Sequence, residues 1–371
     1  MKRLVLAGGG HVHVEVLRRF GEEPMSDVEI VLVSADADSA YSGMVPGLIS
    51  GYYRWRDCHI DLDALTRYAG ARFRQTCVIG IDPAARQITC DSGLVLDWDV
   101  LSLDIGSTPP VGGVDGAAGH GVRVKPVDGF LAAWEQIVAR ACRESLRLVV
   151  VGGGAGGVEL CLSIHHRLSN TPKVRLCDVT LVTQSDTIVP GYSPGARRRL
   201  RAALARSEIG VVEGVAVTAA DEDGLILGNG ARVPAHVILW TTGAGAPPWL
   251  RDTGLALDEG GFVAVDEHLQ STSHPGVFAV GDVAAHPGAN VPKSGVYAVR
   301  QGSVLTDNLR LALDGQPLKV WRPQRRALAL LATGGGYAVA SWGSWSFEGA
   351  WVWHWKHRID TRFMQRYVVP A

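Results

Sequence analysis

The 371-residue sequence predicts an α/β fold built from two nucleotide-binding units, and three features predict it. The phrase LVLAGGGHVHVEV at residues 4–16 returns as LVVVGGGAGGVEL at residues 148–160. Each copy is an apolar run of strand length that breaks into glycines and resumes with helical periodicity, the opening of a βαβ unit. A second shape also recurs: VLDWDVLSLDIGS at residues 95–107 and VPAHVILWTTG at residues 233–243 both read as strand, turn, strand ending in glycine. The third feature is a short apolar strand at residues 277–280 ahead of Gly281 and Asp282; it follows the second copy and makes the first unit discontinuous.

In chain order, the glycines after each opening strand permit a tight turn and let backbone approach a pyrophosphate, whose charge is held by N–H groups at a helix N-terminus. Gly152, Gly154 and Gly157 complete a G-x-G-x-x-G pattern, whereas the first copy has Gly8 and Gly10 but His13 at the third position. The third glycine normally allows close packing of helix on strand, so His13 is expected to lean aside or tilt its helix. Residues 28–33 read as the next strand, and Ser34 stands where an acid often binds ribose hydroxyls. The loop YSGMVPGLISGYY at residues 41–53, which carries Ser42 and Gly43, suits either a cover over a flat ligand or an ordinary packed connection. Residues 114–124, rich in Gly and Ala, fit a crossover between units, with the return expected near Gly260. A helix is expected from Gly295 to Leu313.

A hydrophobic content of 47% with 20% charged residues belongs to a globular chain, and a net charge of −1 offers no general attraction to nucleic acid. Cys58, Cys77, Cys90, Cys142, Cys161 and Cys177 form no C-x-x-C, so buried reduced thiols are expected rather than a zinc or redox pair. His11 with His13, His165 with His166, and DCHIDLD from Asp57 contain metal-compatible groups without a complete ligand set; no metal is expected. The chain enters its first strand with no secretory h-region, from which a cytoplasmic location is expected. Prolines interrupt the uncharged stretch at 233–250, and Gly334, Gly335 and Gly336 split that at 327–347, so neither reads as a membrane span.

Together the two fingerprints, the strands ending LDIGS and LWTTG, and the late VFAVGD resemble the two-dinucleotide-fold flavoproteins, the pyridine nucleotide-disulfide oxidoreductase superfamily that includes type II NADH dehydrogenases. The likeness spans nearly the whole chain. GGGHVHVEVL, YSGMVPGLISGYY and KSGVYAVRQG are also similar to stand-alone relatives of a flavoprotein domain sometimes fused to selenophosphate synthetase. The resemblance implies two Rossmann-like FAD/NAD(P)-binding domains, the second inserted in the first, with a C-terminal β-hairpin plus amphipathic helix. Residues 1–118 and 261–320 would form the FAD-binding domain, 119–260 the NAD(P)-binding domain, and 321–371 a C-terminal interface or membrane-association region. The implied cofactors are FAD and either NADH or NADPH. For FAD the resemblance assigns Gly8, Gly10, His11, Ser34, Ser42, Gly43, Gly106, Gly281, Asp282 and Lys293, with Asp282 accepting from the ribityl hydroxyls. Gly152, Gly154, Gly157 and Gly243 fall to the nicotinamide nucleotide. Glu159 matches the family glutamate that orients nicotinamide against flavin; the plainer reading is an acid favoured by the helix dipole.

Disulfide reductases of this group place a close cysteine pair after the first fold, and only Cys58 lies there. Sulfur-oxidising relatives need cysteines in mid-chain and near the C-terminus; Cys161 is the single candidate, and no cysteine follows Cys177. The resemblance therefore implies a FAD-dependent NAD(P)H dehydrogenase that hands electrons to a small acceptor, with quinone preferred. Oxidation of sulfide or a reduced selenium compound and a flavin-binding redox sensor or scaffold are the alternatives. Type II dehydrogenases carry a paired glutamine on the helix by the flavin; here Gln301 matches and Arg300 does not. Lys293 and Tyr297 are expected either beside the flavin or its acceptor or at an ordinary helix start. Thr183 and Gln184 replace the acid that selects NADH, and Arg197, Arg198 and Arg199 read as a phosphate clamp or as a solvated basic face. In the tail, Phe347, Trp351, Trp355, Ile359, Phe363 and Tyr367 recur at i+4 as one helical stripe, with Lys356, Arg358, Arg362 and Arg366 largely off it. Such a helix suits an anionic membrane surface, or packing against its own domain or a second subunit in a homodimer.

Overall fold

The first glycine phrase folds as the strand Lys2–Ala7, a turn, and the helix His11–Glu22; the second folds as Leu146–Val151, a turn, and Ala155–Ser169. They belong to a computed structural model that describes residues 1–174, 177–288, 291–324 and 326–369. Each opening strand is central in a five-stranded parallel sheet. The first sheet runs Val277–Ala279, Val100–Leu103, Lys2–Ala7, Val28–Ser34, Arg72–Gln75. The second runs Val122–Arg123, Val237–Trp240, Leu146–Val151, Cys177–Val182, Gly210–Val212. The duplication thus reaches strand order, although the outer strand of the first sheet comes from late in the chain and that of the second precedes its glycine phrase. Central strands such as Val100–Leu103 are buried on both faces, which is why they read as unbroken apolar runs. Between the third and fourth strands of each unit lies a three-stranded antiparallel meander, 78–97 in the first and 217–234 in the second.

His13 does not lean aside but is built into the layer between helix and strand. Its ring is fully buried, with Nδ1–H donating to the Gly8 carbonyl at 2.7 Å and Nε2 paired with the Ser102 hydroxyl at 2.8 Å. The imidazole therefore fills the layer between glycine turn and strand that the second copy closes with Gly157, where a Cβ would lie 1.9 Å from the Gly152 carbonyl oxygen. The helix Gly295–Leu313 forms with the expected bounds and lies across His11–Glu22; a Cβ on Gly302 would meet the Glu15 side chain at 2.7 Å.

The C-terminal hairpin is instead a three-stranded antiparallel sheet, Ala329–Ala332, Ala338–Trp342 and Trp345–Gly349, leading into the helix Ala350–Gln365. The expected single stripe divides. Phe347 belongs to the last strand; Trp351, Trp355 and Ile359 are exposed, while Phe363 and Tyr367 are buried. Residues four apart advance about 40° beyond a full turn, so a long i+4 series winds from one face to another. The buried face is Val352, Trp353, Lys356, Asp360, Phe363 and Met364, and its apolar members join the core that contains Val12, Met44 and Tyr53. Lys356 is accordingly not a solvated cation. Among the described residues no helix is long and apolar enough to cross a membrane.

Candidate functional site

Gly8, at φ +97°, turns the chain so closely over the next strand that a Cβ would sit 2.3 Å from the Asp104 carbonyl oxygen. Gly10 then caps the helix. The Asp104 carboxylate accepts the N–H of Val12 at 2.8 Å and of His13 at 3.1 Å. The Nε2 of His11 is enclosed without a hydrogen-bond partner, and burial lowers its pKa to about 4. Ser34 is packed against Gly9, whose Cβ would meet its hydroxyl at 2.9 Å. Gly106 has a positive φ of +71° and open space on its side-chain side. Gly281, at φ +65°, leads into Asp282, whose Oδ2 accepts from Lys125 at 2.7 Å and from Ser107 at 2.8 Å. Burial pushes Asp282 up, but the Lys125 cation and the two hydrogen bonds outweigh it and hold the carboxyl below its ordinary value. Ser42 is exposed and faces the N-terminus of the helix Gly295–Leu313, 3.3 Å from where a Gly295 Cβ would lie. Gly8, Gly10 and Gly281 therefore meet around Asp104, beside a helix N-terminus where the buried Nε2 of His11 has no partner.

Of three further expected contacts, Gln301 and Lys293 have partners among the described residues and the Tyr297 hydroxyl does not. Gln301 is buried: its Oε1 accepts the Gly281 N–H at 2.7 Å and its Nε2 pairs with His286 at 3.0 Å, so it braces the turn rather than meeting an acceptor. Lys293 donates to the Ala284 carbonyl and lies 3.9 Å from the Phe262 ring centroid, and burial lowers its pKa. Tyr297 is half-buried at the start of its helix, and its hydroxyl has no partner among the described residues.

In the second unit Gly152, at φ +126°, crosses Thr241, while Gly154 caps the helix Ala155–Ser169 with open space beside it; Gly243 is likewise open. Thr183 packs against Gly153 as Ser34 does against Gly9. The three arginines do not form a clamp: Arg197 donates to the Tyr192 carbonyl, Arg199 pairs with Glu348 at 2.9 Å, and Arg198 is exposed.

Glu159 stands where both units meet the tail. Its Oε1 accepts the Ala332 N–H at 2.7 Å. Although part of the side chain is accessible, desolvation pushes the carboxyl up to about 7; Lys356 and the Ala332 N–H oppose that rise, and Asp360 adds to it. Lys356 donates to the Gly43 carbonyl and to Asp360, which also accepts from the Tyr41 hydroxyl at 3.3 Å. Tyr41 stacks on Phe363 with centroids 4.4 Å apart. A polar cluster from three chain regions thus carries two raised carboxyls, since burial also pushes Asp360 up against the opposing Lys356. Two buried thiols are poor nucleophiles: burial raises Cys58, which feels the charges of Asp360 and Lys356, to about 12 and pushes Cys161 higher. Among the described residues no group of His, Cys, Asp or Glu is arranged to hold a metal.

The profile of the pyridine nucleotide-disulphide oxidoreductase family matches residues 2–302. The chain belongs to that family. It is a flavin-dependent oxidoreductase whose cofactors are FAD and NAD(P)H. It is 25% identical to demethylphylloquinone reductase NdbB of Synechocystis over 91% of this chain and 86% of that protein. It is 30% identical to an NADH dehydrogenase-like protein of Mycobacterium tuberculosis over 62% of this chain and 59% of the relative. Its fold matches sulfide:quinone oxidoreductase from Aquifex aeolicus with a TM-score of 0.83 at 20% identity, covering 99% and 91% of the two chains. It also matches NDH2 of Plasmodium falciparum in complex with NADH, with a TM-score of 0.81 at 13% identity, covering 99% and 97%. The family's glycines and Asp282 were legible as motifs. Asp104, Lys125 and the Lys356–Asp360 pair were not; the one available signal was an acid inside the otherwise apolar run LSLDIGS.

Proposed function

We propose that the protein oxidises NADH or NADPH and passes the electrons to a quinone. Bound FAD supplies the chemistry that accepts a hydride and returns two electrons. The first glycine cradle, with Ser34, Gly106, Gly281 and Asp282, would hold FAD; Gly152, Gly154, Gly157 and Gly243 would hold the nicotinamide nucleotide. The observation that carries the acceptor side is the junction around Glu159. A carboxyl with a pKa of about 7 holds or releases a proton at neutral pH, which is what delivery of protons to a reduced quinone requires. Buried Lys356 donates to the Gly43 carbonyl and to Asp360, which the Tyr41 hydroxyl holds in turn. Quinone reduction also suits the exposed ladder Trp345, Phe347, Trp351 and Trp355, whose successive ring centroids lie 6.4, 6.1 and 6.5 Å apart. With exposed Arg358 and Arg362 on the same helix, this face fits an anionic lipid surface from which an apolar acceptor could be drawn. The printed names of two relatives, a demethylphylloquinone reductase and an NADH dehydrogenase-like protein, support the same reading.

Anaerobic rapid mixing tests it. NADH or NADPH should bleach the flavin absorbance band, sulfide should not, and a quinone pulse should restore it; bleaching by neither nucleotide overturns the proposal. Glu159→Gln should slow the quinone step about 10²-fold and remove a transition near neutral pH from its rate profile.

A further inference from the structure

Asp104 ends the strand Val100–Leu103 at the carboxyl edge of the first sheet, where open α/β sheets bind their ligands. Its carboxylate lies between the two turns that bracket the FAD cradle: a Cβ on Gly10 would come within 2.3 Å of Asp104 Cγ, and one on Gly281 within 2.7 Å of its Oδ1. The side chain already takes the N–H groups of Val12 and His13 that a helix N-terminus would otherwise offer to a phosphate. The residue is 5% exposed. At the same helical turn the buried Nε2 of His11 has no partner, an independent sign that something polar completes this cradle.

The charges facing Asp104 do not favour an anion beside it. His11 and His13 on the helix are both held neutral by burial, with pKa values of about 4. Asp282 across the cradle is an acid, and Lys125 is already paired with it. A diphosphate entering here meets one carboxylate under the glycine turn and another beside Gly281.

We propose that Asp104 is a cofactor-binding residue that receives the diphosphate of the dinucleotide as a neutral carboxylic acid, so that binding takes up one proton from solvent. The proposal rests on reading the first cradle as the FAD site. The proton goes to the Asp104 carboxylate, no bond to the cofactor is made or broken, and the resulting O–H donates where a charged oxygen would repel. Burial already raises this carboxyl to about 7 against the opposing N–H groups of His13 and Val12, with Asp282 adding to the rise, and a neighbouring diphosphate raises it further. The free group therefore loses its proton as pH passes about 7 while the bound group keeps it, so affinity falls as pH rises through that window.

Release of FAD from the full-length protein, followed by flavin fluorescence between about pH 6 and about pH 9, reads the effect. Affinity should be flat at the acid end and fall up to ~10-fold per pH unit above about 7. Asp104→Asn should make it flat throughout. ADP carries the diphosphate but no flavin ring to reach Glu159; calorimetry of ADP with the flavin-free full chain, in buffers of different ionisation enthalpy, should show about one proton taken up above neutrality. That count needs no variant. A pH-independent affinity in the unmodified protein, or ADP binding without proton uptake, overturns the role of Asp104 while leaving the FAD site standing. Failure to bind FAD or ADP at any pH overturns the reading of the cradle itself.

Discussion

Lys356 and Asp360 are 7% and 6% exposed and lie one helical turn apart, so each is the other's charge compensation in a place water scarcely reaches. Removing one member of a buried pair strands the other at a penalty of about 3–5 kcal/mol, whereas removing both leaves a polar hole but no unpaired charge. Lys356→Met should therefore lower the free energy of unfolding by about that amount in urea titrations, and Lys356→Met with Asp360→Asn should recover most of it. An equal loss in both variants would mean that packing of the lysine stem, not its charge, carries the contribution. The same pair shows why sequence reading misjudged the residue: Lys356 looked like one more cation on a basic helix, and its burial follows from Gly43, 313 residues earlier, offering a carbonyl at its tip.

At the level of elements, the tail helix has two faces with separate tasks. Val352, Trp353, Phe363 and Met364 are part of the core, so deleting the helix would unfold its surroundings instead of testing the exposed face. Trp351 and Trp355, 56% and 41% exposed, can be changed without disturbing that core. Trp351→Glu with Trp355→Glu should reduce flotation with vesicles containing anionic phospholipid by about 10-fold or more, while thermal unfolding in the absence of lipid shifts little. Unchanged flotation would place the aromatic ladder in a protein contact. For the glycine helices, spacing alone was sufficient: strand, turn and helix follow from apolar period and glycine position within a dozen residues. What the spacing could not supply is the way His13 substitutes for a third glycine, because its partner Ser102 lies on a strand 89 residues away.

Across the whole molecule, buried titrating groups of opposite sign lie within one architecture. His11, His13 and His286 have folded pKa values of about 4, below the ordinary imidazole value, so their contribution to stability is present above about pH 6.5 and is lost as pH falls towards 4. Asp104 and Glu159, raised to about 7, work the other way: the folded state holds their protons more tightly, and their contribution is lost as pH rises through 7. With three imidazoles against two carboxyls, the midpoint of thermal unfolding should rise modestly with pH between about pH 5 and about pH 6.5, and Asp104→Asn, which removes one of the opposing carboxyls, should steepen that rise. A steep wild-type slope would show that one set dominates. The repeated phrase, the repeated strand pairs and the late VFAVGD determined by themselves the two parallel sheets and the discontinuous first one, because glycine turns and apolar runs act over a few residues. Only tertiary structure decided which N–H groups remain for a phosphate, which face of the tail is exposed and what surrounds Glu159. Those outcomes depend on partners such as Asp104 with Val12, or Ala332 with Glu159, separated by 92 and 173 residues, and local spacing carries no information about a neighbour that folding brings from so far away.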